Sequence, residues 1–220
     1  MTRTAADKRH FLLRKLHSLS GIVPIGGYLL FHLFENGQVL LGADRFEAGA
    51  AFIEGFGLMI LPIEALLLGS ILFHGLYGLV IAADARPNVG RYPLPRNWFF
   101  MFQRVSGVIA LLFIGFHVWQ TRFHFYMGEY GGWDKVHVTA QWMQSNIWGT
   151  DGQNVLLAAA YITGVTMSVF HLTNGIWSFL IKWGITVGPR AQRLSAYAFT
   201  SLGVILSAAG VAIAYGFKNI

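Results

Sequence analysis

Eight histidines occur in this 220-residue chain, and four of them, His32, His74, His117 and His171, stand inside long apolar runs. Imidazole is costly in hydrocarbon, so an ionisable side chain within such a run marks a functional site by default. Neutral imidazole is also a common ligand for transition metals. The chain has no cysteine, which excludes disulfides, thiolate metal sites and cysteine-ligated iron–sulfur clusters within it. Of the other histidines, His10 and His137 read as solvated. His17 stands at the mouth of the first apolar run, and His124 follows His117 by seven residues.

The elements that must position these side chains are membrane spans. The chain is 55% hydrophobic and 12% charged, with mean hydropathy +0.51. A soluble domain carries about 25% charged residues. Five runs reach the roughly 20 residues that a span requires, at about 17–37, 59–83, 97–123, 153–181 and 193–217. The expected fold is an all-α membrane protein of five transmembrane helices, with residues 1–220 forming one domain. The first run lacks a convincing small-residue cleavage site, so it reads as an uncleaved span. Twelve of the sixteen Lys and Arg residues fall in the N-terminal tail, the second connector with the first turn of span three, and the fourth connector. The positive-inside rule puts these segments and the N-terminus in the cytoplasm, with the C-terminus outside. The same distribution accounts for the net charge of +6 without nucleic acid. Residues 44–57 read equally as a surface amphipathic helix or an irregular loop. Tyr126, Tyr130, Trp133, Trp142 and Trp148 suit an aromatic belt at the outer interface.

With alternating directions for the spans, His32 and His117 fall in an outer layer, and His74 and His171 in an inner layer, roughly 15–20 Å apart. Two depth-matched pairs suit two bis-histidine haems. Zinc and copper are the chemical rivals, although zinc sites usually gather three or four protein ligands at one point. Gly78 and Gly175 stand four residues after His74 and His171, on the same helix face, where a flat macrocycle would need clearance or helices would pack. Ser20-Gly21 precedes His32 by about three turns, and Ser106-Gly107 precedes His117 similarly. Candidate partners for haem propionates at the inner edge are His17, Ser18, Arg104 and Lys182; snorkelling to lipid phosphates is the alternative for the last two. Glu64, the one carboxylate well inside a span, is placed to accept a proton from a quinol or to pair with a hydroxyl. Glu35 and Glu47 stand nearer the outer surface.

The stretches RKLHSLSGIVPIG, FHLFENG, FHGLYGL, RNW with QRVSGVI, FHVWQTR, FHLTNGIWSF and WGITVGPRAQR cover most of residues 10–195. In that order they resemble the membrane cytochrome b subunit of succinate dehydrogenases and fumarate reductases, in the class with one five-helix anchor and two haems. The resemblance implies haem b twice over, axial ligands at His32, His74, His117 and His171, and an inner-haem propionate contact at Lys182. It implies a flavoprotein and an iron–sulfur subunit on the cytoplasmic side of a bacterial inner membrane. It implies a quinone, usually menaquinone, as electron-transfer substrate, with Glu47, Glu54 and Glu64 open as acids of its site. Some fumarate reductases of this class are thought to move protons through a glutamate in the fourth span. Residues 153–181 hold no Asp or Glu, which argues against that pathway here. The rival readings are the cytochrome b subunit of a hydrogenase or formate dehydrogenase, and a haem-free anchor or transporter.

Overall fold

The computed structural model describes residues 5–123, 142–147 and 155–217. The described residues are helical throughout their regular elements, with no strand among them. Five helical stretches are long and apolar enough to cross a membrane: Lys8–Leu41, Gly57–Ala83, Pro95–Phe123, Val155–Lys182 and Pro189–Gly216. Each matches one expected span.

The first span is a rod of three parts: α1 (Ala5–Ser20), a π-helical segment (Gly21–Gly26) and α2 (Gly27–Gly37). Pro24 lies inside the π segment. Proline has no N–H and its ring crowds the carbonyl four residues back, so the helix widens locally rather than breaking. Helix α1 is already formed at Ala5, the first described residue and well before the expected start of the apolar span. AADKRHFLLRKLHSLS holds neither Gly nor Pro, and nothing in it stops helix propagation toward the N-terminus.

A short 3₁₀ turn, Gln38–Leu41, leads to Gly42, whose φ of +113° reverses the chain. Residues Ala43–Glu54 then form α3, which resolves the choice between helix and loop in favour of the helix. A second 3₁₀ turn (Gly57–Ile60) precedes α4 (Leu61–Ala83). Helix α5 (Pro95–Val118) ends in a π segment, Trp119–Phe123, and Met143–Ile147 form a further π turn. The last two spans are α6 (Val155–Lys182) and α7 (Pro189–Gly216). Pro95 and Pro189 open their helices, where the missing N–H costs nothing. Of the expected aromatic belt only Trp142 is among the described residues; Tyr126, Tyr130, Trp133 and Trp148 lie outside them, as do His124 and His137.

Helix α6 is the hub and packs along both α5 and α7. Gly203 and Gly210 of α7 meet Thr173 and Val165 of α6. Small residues let two helices approach where lipid supplies no hydrophobic drive between them. The buried apolar cluster is small and joins Val39, Phe46, Met143, Ile147, Tyr161, Ile213 and Phe217 near the His32 end of the bundle. Outward faces stay apolar: Leu112 is 70% exposed and Leu156 84%. Such faces suit lipid contact, and the interior between the first four spans is open.

Candidate metal centre between four helices

A cavity of about 2260 Å³ runs through the bundle, and all four span histidines line it. Drug-sized ligand sites occupy roughly 300–1,000 Å³, so this space holds more than one such molecule. The imidazole centroids of His32 and His117 stand 5.7 Å apart with planes at 72°. Those of His74 and His171 stand 6.0 Å apart at 86°. A metal bound at about 2 Å by one nitrogen from each side sets ring centroids roughly 6 Å apart. Both pairs thus have the spacing of two imidazoles on opposite sides of one ion. Among the described residues no three His, Asp or Glu side chains converge as a metal-holding group. Zinc sites built from three or four protein ligands are therefore a poor match.

Hydrogen bonds fix which nitrogen faces inward. The Nδ1 of His74 lies 2.9 Å from the carbonyl oxygen of His17, and the Nδ1 of His171 lies 2.9 Å from that of Gln103. A carbonyl only accepts, so each Nδ1 carries the proton and donates it. Nε2 is left with its lone pair for a metal, an arrangement in which the acceptor orients the ring and raises its basicity. Gln103 Nε2 stands 3.5 Å from His171 Nε2 and also donates to the His171 carbonyl at 3.0 Å. In the other layer, Tyr161 Oη is 3.0 Å from His117 Nδ1, and Asn36 Nδ2, which donates to the His32 carbonyl at 2.8 Å, stands 3.1 Å from His32 Nδ1.

Each span serves both layers. Helix α5 carries Gly107 beside His171 and, ten residues on, His117 beside His32. At 1.5 Å per residue the layers are about 15 Å apart. Helix α6 carries His171 in one layer and Tyr161, ten residues earlier, in the other. Ser20-Gly21 and Ser106-Gly107 lie against the rings of His74 and His171, not the histidines that follow them on their own helices. Gly78 faces the ring of His17: a β-carbon there would stand 3.1 Å from His17 Nε2. Gly175 faces the amide of Gln103 at 3.4 Å in the same sense. His17 itself stacks on His74, centroids 4.0 Å apart and planes 10° apart.

The end of the cavity beyond the His74 layer is cationic. Arg14, Lys15, Arg104 and Lys182 line it, with Ser18 beside them. Arg104, Arg14 and Lys15 are within electrostatic reach of Lys182. Arg104 gives one N–H to the Phe100 carbonyl at 2.6 Å, while its Nε is buried without a partner among the described residues. A buried N–H donor left open in a cluster of cations suits an anionic group such as a carboxylate. A macrocycle with two imidazole ligands and carboxylate side arms therefore fits the residues present.

At the opposite end Arg122 and Glu64 form an ion pair, with side chains about one-third and one-quarter exposed. Glu54 and Glu64 both line the cavity, as does Glu35, whose Oε1 is buried with no partner among the described residues. Glu47 is off the wall. The Arg122–Glu64 pair was open to sequence reasoning, because both residues fall at the same end of neighbouring spans.

Five helical spans with two facing, crossed imidazole pairs between the first four define a multi-pass membrane protein of cytochrome b type. The chain is 37% identical over 212 residues, covering 96% of its length and 99% of the relative, to the succinate dehydrogenase cytochrome b558 subunit of Bacillus subtilis (strain 168). It belongs to that family of succinate dehydrogenase cytochrome b subunits. No family model matches, and no solved structure matches.

Proposed function

We propose that this chain is the diheme, quinone-reactive membrane anchor of a succinate:quinone oxidoreductase, or of the related quinol:fumarate reductase. The observation that carries the proposal is that two imidazole pairs, each facing across a gap spaced for one metal, lie at two levels of a single cavity. In this reading His74 and His171 hold an inner haem b, and His32 and His117 an outer one. When bound, the two haems supply one-electron carriers at two depths of the membrane. The residues of the chain set the geometry and the electrostatics. The carbonyls of His17 and Gln103 keep the inner imidazoles in the tautomer that offers Nε2. Arg104 and Lys182 hold propionates at the inner mouth, with Ser18 and His17 beside them. The Gly78 and Gly175 positions keep that mouth open around residues 17 and 103.

The basic connectors support a cytoplasmic N-terminus and an inner face that docks an iron–sulfur subunit, itself joined to the flavoprotein that handles the dicarboxylate. Quinone, menaquinone by the family resemblance, is bound at the outer end of the cavity, where Glu54 and Glu64 line the wall and Arg122 pairs with Glu64. Affinity purification of the tagged chain from membranes tests this reading. The expected preparation contains a flavoprotein and an iron–sulfur protein and shows a b-type reduced-minus-oxidised spectrum. A nickel or molybdenum protein in their place, or no b-type signal, contradicts it.

A further inference from the structure

Spans one and three carry the same short device at the same depth. Three and four residues after His17 stand Ser20 and Gly21; three and four residues after Gln103 stand Ser106 and Gly107. The carbonyl of the first residue in each set accepts the Nδ1 proton of an inner histidine, at 2.9 Å in both cases. The serine donates to that same carbonyl, at 3.0 Å from Ser20 and 3.2 Å from Ser106. Its oxygen also lies beside the ring nitrogen, 3.5 Å from His74 Nδ1 and 3.3 Å from His171 Nδ1. The glycine carries the ring itself. A β-carbon at Gly107 would stand 2.8 Å from His171 Cε1 and 3.1 Å from its Nδ1, and one at Gly21 would overlap the His74 ring. Ser106 is 1% exposed, so this contact is fully sequestered.

We infer that Ser20-Gly21 and Ser106-Gly107 are a matched pair of seats that position the two inner axial imidazoles and set their basicity. They are positioning residues for the inner metal only. The inference rests on the reading proposed above. The glycine lets the imidazole edge reach the helix backbone, which aims Nε2 across the cavity. The serine takes part of the accepting capacity of the carbonyl, which limits how much imidazolate character the ring acquires. Among the described residues no such seat faces His32 or His117. Their Nδ1 atoms face the side chains of Asn36 and Tyr161. The two layers are thus tuned by different chemistry, backbone carbonyl against side chain.

The test uses the intact complex and reads haem content, redox titration and ferric electron paramagnetic resonance, with His171→Ala marking which signal is inner. Gly107→Ala and Gly21→Ala are expected to lose the inner signal or change its g anisotropy, because the ring must turn. Ser106→Ala frees the carbonyl to draw harder on Nδ1–H, and is expected to shift the inner midpoint downward. All three variants are expected to leave the outer signal unchanged. Gly115→Ala on the same helix is the control, since a β-carbon there meets nothing within 4 Å. If Gly107→Ala does not accumulate, Ser106→Ala decides. An unchanged inner midpoint and spectrum in Ser106→Ala and the glycine variants that accumulate, or changes confined to the outer signal, would overturn the inference. The absence of haem from the unmodified complex would instead overturn the proposed function.

Discussion

The rings of His74 and His171 meet across the cavity with their planes 86° apart, from helices that do not adjoin in sequence. The His32 and His117 rings are crossed by 72°. Crossed imidazole planes leave the two π-type d orbitals of a low-spin ferric iron nearly degenerate, which makes the g tensor strongly anisotropic. Both ferric haems are expected to show such high-g signals in frozen membranes. A conventional rhombic spectrum, as from parallel planes, would mean that the rings turn when metal is bound.

On the proposed reading, replacement of His117 by alanine takes away one of the two ligands in the His32–His117 layer and leaves the His74–His171 layer, about 15 Å away, intact. The expected result is loss of one b-type component with retention of the other. Loss of the component that His171→Ala also removes would show that the pairing by depth is wrong.

Tyr161 gives a finer handle on the same layer. With Nε2 on the metal, Nδ1 of His117 carries the proton and the phenol oxygen at 3.0 Å accepts it. Tyr161→Phe removes the acceptor, lowers the basicity of the ring and favours ferrous iron. A differential of ~0.5–1 kcal/mol for one such hydrogen bond corresponds to a rise of about 20–40 mV in the outer midpoint. Redox titration checks the sign, and the inner midpoint should not move.

Lys182 sits in the cationic mouth with Arg104, Arg14 and Lys15. Lys182→Ala removes positive charge that favours the reduced state. A unit charge about 10 Å away at an effective dielectric of about 20 is worth on the order of 1–2 kcal/mol, or about 40–80 mV. The inner midpoint is expected to fall by that order, with the outer one little changed. An inner midpoint that stays put would assign Lys182 to the lipid headgroups alone.

The Arg122–Glu64 pair is only part-buried, so its loss should cost more than the ~1 kcal/mol of an exposed pair and less than the ~3–5 kcal/mol of a fully buried one. Arg122→Ala is expected to lower the melting temperature of the complex, and Arg122→Ala with Glu64→Gln to recover part of the loss. Glu64→Gln alone is expected to slow quinone reduction while haem content stands. Wild-type quinone activity in Glu64→Gln would move the acid of that site to Glu54 or Glu35.

The four span histidines were legible because a titratable ring is conspicuous in an apolar run, and charge asymmetry then ordered them by depth. Spacing along one helix relates Ser20-Gly21 to His32 and Ser106-Gly107 to His117, whereas their partners are His74 and His171 at the same level on neighbouring helices. Matching depths would also have paired Tyr161 with His117 and Glu64 with Arg122. The clearance at Gly78 and Gly175 faces the residue 17 and 103 side chains, which periodicity on one helix could not reveal. Pro24 cannot continue a regular α-helix, and the disturbance is absorbed as a π turn that begins at Gly21, within one of the two histidine seats.

Haem-to-polypeptide stoichiometry of the purified complex, from a reduced-minus-oxidised spectrum set against chain concentration, bears on all of this at once. Two b-type haems per chain, resolved as two midpoints, is the expected result. A value of one or zero would contradict the reading of His32–His117 and His74–His171 as two separate metal centres.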